Sequence, residues 1–96
     1  MPNNQNNNFI SINDTIADIL YHKIQTQFKT FGEPVFYITD RDVFRAAVES
    51  RRPNNISVYR LELVVRSLNK IKGVSTAYFR ENADEPDGEI IVRLKV

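Results

Sequence analysis

The sequence contains no cysteine, a single histidine and three glycines. Without cysteine the chain can form no disulfide bond, no zinc site with thiolate ligands and no thiol nucleophile. No apolar run approaches the roughly 18–20 residues that span a bilayer, and residues 1–8 lack the basic start and apolar stretch of a secretory signal. We therefore expect an intracellular protein without a transmembrane segment, stabilised by its hydrophobic core alone.

The few residues suited to catalysis are scattered along the chain. The only histidine, His22, is predicted on the polar face of the first helix, where a solvated side chain is much more common than a catalytic base. The glycines are isolated, so no glycine-rich loop can hold a phosphate group. A chain of 96 residues buries only about 60–65% of its unfolded surface, which leaves little room for a deep cavity. We expect no enzyme, no catalytic residue and no cofactor.

The overall composition, 42% hydrophobic and 26% charged, is typical of one small domain. Residues 1–12 form an Asn-rich tail and lead-in that is expected to be disordered, and residues 13–96 form a single domain. The first helix of this domain begins at a cap, Asn13 or Asp14, and ends before Gly32. Its apolar residues recur at helical spacing and are expected to face the core: Ile16, Leu20, Ile24, Phe28 and Phe31.

A short strand and a second helix follow Pro34. Residues 35–38 form a β-type run. Thr39 and Asp42 have the spacing of a capping box, so the second helix is predicted to begin there and to run to about Ser50. Its inward-facing residues are expected to be Val43, Phe44, Ala47 and Val48.

A third helix and a hairpin complete the predicted domain. Residues 51–55 have the composition of a turn, Ser57 is the expected cap, and the third helix covers residues 58–72 before Gly73. The inward-facing stripe of this helix is Val58, Leu61, Val64, Val65, Leu68 and Ile71. The hydrophobic period then changes to two, which predicts strands at residues 74–80 and 89–96 joined by a long tip at residues 81–88. One face of the last strand is expected to carry Ile90, Val92, Leu94 and Val96.

The predicted order of elements is helix, strand, helix, helix, strand, strand, an α+β fold. One segment combines apolar positions, basic residues and an exit through glycine into a strand: Val64-Val65-Arg66-Ser67-Leu68-Asn69-Lys70-Ile71-Lys72-Gly73-Val74. Together these features resemble a winged helix-turn-helix domain over about residues 14–96, although residues 51–57 exceed the usual turn of three or four residues. The resemblance implies an α-β-α-α-β-β fold with a C-terminal β-hairpin wing, and binding to double-stranded DNA.

The net charge of +1 hides an uneven distribution. Residues 51–80 carry seven basic side chains and one acidic side chain, a net +6, whereas residues 81–89 carry −5. Residues 1–50 contribute −2 and residues 90–96 contribute +2. A basic third helix beside an acidic hairpin is therefore predicted, and the near-zero total does not argue against a nucleic-acid partner.

The basic helix predicts the contacts with DNA. Arg66 points away from the apolar stripe and can reach a guanine edge in the major groove. Arg51, Arg52 and Lys70 suit phosphates, to which the helix N-terminus can also donate. The expected DNA-binding residues are Arg51, Arg52, Asn55, Ser57, Tyr59, Arg60, Arg66 and Lys70. We expect a transcription- or replication-type regulator that occupies a specific site, as a homodimer because one small module makes few phosphate contacts.

The acidic hairpin and an apolar pair leave a second interpretation open. On the predicted third helix Tyr59 and Leu63 form an exposed i,i+4 pair, which suits a protein partner at least as well as a thymine methyl group. A wing that carries Asp84, Glu85 and Asp87 would repel phosphates and attract a basic protein surface. The spacing of these carboxylates does not match a calcium-binding loop, so no metal site is expected. The alternative function is a protein-interaction module or inhibitor that uses these five residues.

Overall fold

The computed structural model describes residues 12–50 and 60–96. Their elements are α1 (Ile12–Phe31), β1 (Val35–Thr39), α2 (Asp40–Ser50), α3 (Leu61–Lys70), β2 (Val74–Asn82) and β3 (Glu85–Leu94). The strands form a three-stranded antiparallel sheet in the order β1-β3-β2. The predicted α+β class and the predicted order of elements are therefore confirmed for this part of the chain.

The core lies between the helices and one face of the sheet. Its largest fully buried side chains come from all three helices and from β3: Ile16, Val43, Val64, Leu68, Ile90 and Val92. α1 packs against α2 and α3, and α3 also packs against β2. Burial stabilises the fold by about 1.5–3 kcal/mol for each such aliphatic side chain. No helix within residues 12–50 and 60–96 is long and apolar enough to cross a membrane.

The first turn of α1 binds to α3 instead of being capped where expected. Asn13 and Asp14 were predicted as caps, but the helix already includes Ile12, which places both residues inside its first turn. The Asn13 side chain accepts a hydrogen bond from the Arg60 backbone N–H at 3.1 Å. Asp14 accepts one from the Ser67 hydroxyl at 2.6 Å. Both polar side chains therefore hold the two helices together.

The end of α1 differs from the prediction at one residue. Gly32 has a φ of 78° and its N–H donates to the Phe28 carbonyl at 2.7 Å, so the predicted helix end is confirmed. Phe31, however, is 75% exposed. α1 has 20 residues, whereas α2 and α3 have 11 and 10. The last turn of α1 therefore extends beyond the elements that cover its apolar stripe.

The capping box of α2 is present, but half of its predicted inward face is wrong. Thr39 N–H donates to the Asp42 carboxylate at 3.0 Å, and Asp42 N–H donates to the Thr39 hydroxyl at 3.2 Å. Val43 is buried as expected, whereas Phe44 and Val48 are 55% and 47% exposed. The helix turns the face of Val43 and Ala46 towards α1 instead, and Ala47 is only half-buried.

α3 is shorter than the predicted helix of residues 58–72. Arg60 is its N-cap, with extended backbone at φ −132° and ψ 131° and no capping hydrogen bond from a side chain. Val58 and the expected cap Ser57 lie outside the described residues. Ile71, rather than Gly73, follows the last helical residue as the C-cap. Gly73 lies against Tyr21, and a Cβ at this position would overlap the tyrosine hydroxyl.

The hairpin has longer strands and a shorter tip than predicted. β2 extends to Asn82 and β3 begins at Glu85, so two residues, Ala83 and Asp84, form the turn. The pairing shifts between Arg80 and Asn82, which accommodates a bulge on β3 that contains Gly88 at φ 82°. Ile90, Val92 and Leu94 are buried as predicted, but Val96 is 92% exposed because it lies beyond the end of β3.

Candidate nucleic-acid interface

α3 is attached to the domain by one side only. Val64 and Leu68 are fully buried in the core, and Leu61, Val65 and Ile71 are partly buried around them. Ser67 is also buried and donates to Asp14. The helix is therefore fixed by its inner side, and the opposite side faces solvent.

The solvent side of α3 carries two cations one helical turn apart. Arg66 and Lys70 are exposed, as predicted, and neither forms an ion pair with another residue of the ranges 12–50 and 60–96. Glu62 is also exposed and lies 3.6 Å from the Arg60 guanidinium, a pair that is worth little because water surrounds both groups. Arg66 and Lys70 are available to an anionic ligand, and Glu62 lowers the local positive charge.

Asn69 holds the exit of α3 against the sheet. Its amide nitrogen donates to the Ala77 carbonyl at 2.8 Å, and its amide oxygen accepts the Ala77 N–H at 2.8 Å. This two-way pairing with the backbone of β2 joins the last turn of α3 to the sheet. Sequence reasoning missed this role, since an asparagine near a helix end carries no signal for a partner eight residues away.

The basic and acidic segments neutralise each other at one point. Arg80 lies in the segment of net +6 and Glu89 in the segment of −5, but β2 and β3 place them opposite each other. Arg80 Nε donates to the Glu89 carboxylate at 3.1 Å, a second guanidinium nitrogen contacts the same oxygen, and Glu89 is buried. This hydrogen bond raises the pKa of Arg80 above its ordinary value. The charge separation is smaller than the sequence implies.

The remaining hairpin acids are solvent-facing. Glu81, Asp84 and Asp87 are exposed, whereas the Glu85 side chain is outside what the structure describes. The hairpin thus keeps acidic side chains at its end, as predicted, on two continuous strands. Within the described ranges no cluster of three or more histidine, cysteine or acidic side chains could hold a metal ion.

Several predicted site residues lie outside the described part of the chain: Arg51, Arg52, Asn55, Ser57 and Tyr59. The expected i,i+4 pair of Tyr59 and Leu63 therefore stays a prediction, because Tyr59 is one of these residues. Leu63 itself is half-buried rather than exposed. Of the apolar patch proposed for a protein partner, the described residue Leu63 is thus only partly accessible.

Two further features of the described residues are the histidine and a cavity between the helices and β1. His22 is exposed on α1, with Nδ1 2.8 Å from the Asp18 carbonyl oxygen, in agreement with its predicted place on the polar face. A cavity of about 410 Å³ lies between α1, β1 and α2. Its one carboxylate, Asp42, is already held by the backbone and hydroxyl of Thr39.

Comparison with known proteins identified no relative of this chain. No protein-family model, no curated protein and no solved structure matches this chain.

Proposed function

We propose that the protein is a winged helix-turn-helix module that binds double-stranded DNA with α3 in the major groove. Three observations support this proposal. The order of elements is the expected one, the sheet has the order β1-β3-β2, and the helix before the hairpin presents cations to solvent. A helix of this diameter fits the major groove of B-form DNA.

The observation that carries the proposal is the pair Arg66 and Lys70 on the outer side of a helix whose inner side is fixed. Arg66 would donate two hydrogen bonds to a guanine edge. Lys70, one turn later, would contact a phosphate, and Arg60 at the N-cap would contact another. The expected contributions of Arg51, Arg52, Asn55, Ser57 and Tyr59 remain part of the proposal. The module would act by occupying its site as a homodimer, in transcription or replication.

Titration of duplex DNA at several salt concentrations tests this function. Binding should weaken steeply with salt, because each phosphate contact contributes about −0.9 to the slope of log K against log[salt]. Arg66→Ala should remove the preference for one sequence, at about 1–3 kcal/mol for a bidentate base contact. Lys70→Ala should weaken all sequences equally and reduce the slope by about 1. Lys29→Ala, on an exposed position of α1, is the matched control and should change neither quantity.

The absence of duplex binding even at low salt would rule out the proposal. So would an Arg66→Ala variant that keeps full sequence preference while Lys29→Ala behaves like the parent chain.

A second candidate function rests on the exposed carboxylates Glu81, Asp84 and Asp87 of the hairpin. A protein partner with a basic surface would be attracted to this end of the molecule, while a phosphate backbone would be repelled. Replacement of Asp84, Glu85 and Asp87 by serine separates the two functions. Duplex binding should stay constant or improve, whereas capture of a basic partner should fall.

A further inference from the structure

The sheet has a face that none of the helices within residues 12–50 and 60–96 covers. The core residues Ile38, Ile90 and Val92 point towards the helices, and because side chains alternate along a strand, their neighbours point to the other face. The strand register aligns these neighbours in three rows: Tyr37, Ile91 and Tyr78; Thr39, Glu89 and Arg80; Val35, Arg93 and Thr76. We name these nine residues the open sheet face.

The middle row of the open sheet face is an aromatic platform. Tyr37 and Tyr78 lie on the two outer strands and are 60% and 49% exposed. Ile91 lies between them on the central strand and is only 4% exposed, although it does not belong to the core cluster. The two tyrosines therefore flank and shield the isoleucine while each keeps about half of its surface in solvent. Neighbouring strands are about 4.8 Å apart, which places the tyrosine backbones roughly 10 Å from each other.

Among the nine residues of the open sheet face, the charges are positive or cancelled. Glu89 is the one carboxylate among the nine residues, and Arg80 neutralises it. The Arg80 guanidinium carbon lies 5.9 Å from the centre of the Tyr37 ring, so the cation is held beside the aromatic surface. Arg93 is exposed in the next row and forms no ion pair with a described residue. The open sheet face thus combines aromatic rings with an uncompensated cation, and this complementarity favours an anionic ligand with flat rings.

A second copy of the chain fits this face less well. Two open sheet faces packed together would bring Arg93 of each copy near positive charge, with no unpaired carboxylate in the nine residues to compensate. Bases of a single strand, by contrast, can stack on tyrosine rings while the phosphates meet arginines. α3 packs on the other side of the sheet, against β2, so its ligand and a ligand of the open sheet face do not compete.

We propose that the open sheet face is a binding site for single-stranded nucleic acid, with Tyr37 and Tyr78 as stacking residues and Arg93 as the cation next to the backbone. This site is independent of duplex binding by α3. A domain with both surfaces could hold a duplex on one side and an unpaired strand on the other.

Fluorescence anisotropy with labelled 12-mers of oligo(dT) and oligo(U) tests the site, and the two oligomers distinguish DNA from RNA. Tyr78→Ala and Tyr37→Ala should each weaken binding roughly tenfold, the range expected for loss of one stacked base. Tyr78→Phe keeps the ring and should retain binding within about twofold. Tyr78→Thr, which keeps a good strand former, should match Tyr78→Ala. Circular dichroism and thermal melting would show that each variant is folded.

Lys29→Ala, at an exposed cation of α1 outside both proposed surfaces, is the matched control and should leave oligo(dT) and oligo(U) binding unchanged. Two results would overturn the proposal: no binding of either oligomer at low salt, or equal binding by the parent chain and folded Tyr37→Ala and Tyr78→Ala variants. Loss of oligomer binding in Arg66→Ala alone would also overturn it, because the strand would then bind α3. Failure of duplex binding, in contrast, would concern only α3.

Discussion

The two faces of the sheet are built from the same strands but differ in how their residues are fixed. On the covered face Ile38, Ile90 and Val92 are buried by helices. On the open sheet face Ile91 is buried to nearly the same extent, with Tyr37 and Tyr78 beside it on the adjacent strands. The covered face therefore stabilises the domain through close packing. On the open sheet face, two large side chains shield the isoleucine while they remain partly exposed to solvent.

The largest expected difference is between the adjacent residues Ile90 and Ile91, which point to opposite faces. Ile90→Ala should lower the free energy of unfolding by about 2–5 kcal/mol, because rigid packing around it cannot collapse into the cavity. Ile91→Ala should cost clearly less, since the tyrosines that cover it can move inwards. Urea unfolding of both variants measures the two values. Equal losses would show that the open sheet face is packed as rigidly as the core.

Sequence patterns predicted the order of elements because helix spacing, Gly32 and the Thr39–Asp42 box are local signals. They failed for side chains whose burial or ion pairing depends on a residue far along the chain. Alternation along β3 places Ile91 in solvent, and only the strand register reveals the tyrosines beside it. The ion pair of Arg80 with Glu89 depends on the same register, so charge sums along the sequence overstated the polarity of the hairpin.

The exposed residues of α2 and the length of α3 were also mispredicted, because contacts between elements decided them. Phe44 and Val48 have the spacing of an inward face, but the packing of α2 in the domain buries Val43 and Ala46. The helical spacing of apolar residues extends N-terminal to Leu61, and it therefore predicted an earlier helix start. In the structure Arg60 has extended backbone, and its N–H donates to the Asn13 side chain. For the candidate site, the exposed cations Arg66 and Lys70 were predictable from periodicity; Asn69 and the open sheet face were not.

A smaller difference is expected between two glycines with similar backbone angles. Gly32 and Gly88 have φ values of 78° and 82°, but a Cβ at Gly32 meets open space, whereas one at Gly88 overlaps the Phe79 ring. Gly32→Ala should cost about 1 kcal/mol from the left-handed backbone alone. Gly88→Ala should cost about 1–2 kcal/mol more, because the ring at the end of the covered face must move. Thermal and urea unfolding compare them; equal costs would mean that Phe79 is not packed against the bulge.

The smallest effect on stability is expected at Arg93, next to the fully buried Val92. Arg93→Ala should change the free energy of unfolding by no more than about 0.5 kcal/mol, because the side chain is exposed and lacks a counter-ion among the described residues. The same change should reduce the salt dependence of oligo(dT) binding by about 0.7 in the slope of log K against log[salt], the value for one phosphate contact of a single strand. Arg41→Ala, an exposed arginine of α2, should leave that slope unchanged. A stable Arg93→Ala variant with an unaltered slope would show that the open sheet face binds no phosphate at this position, and it would confine the role of the face to the aromatic platform.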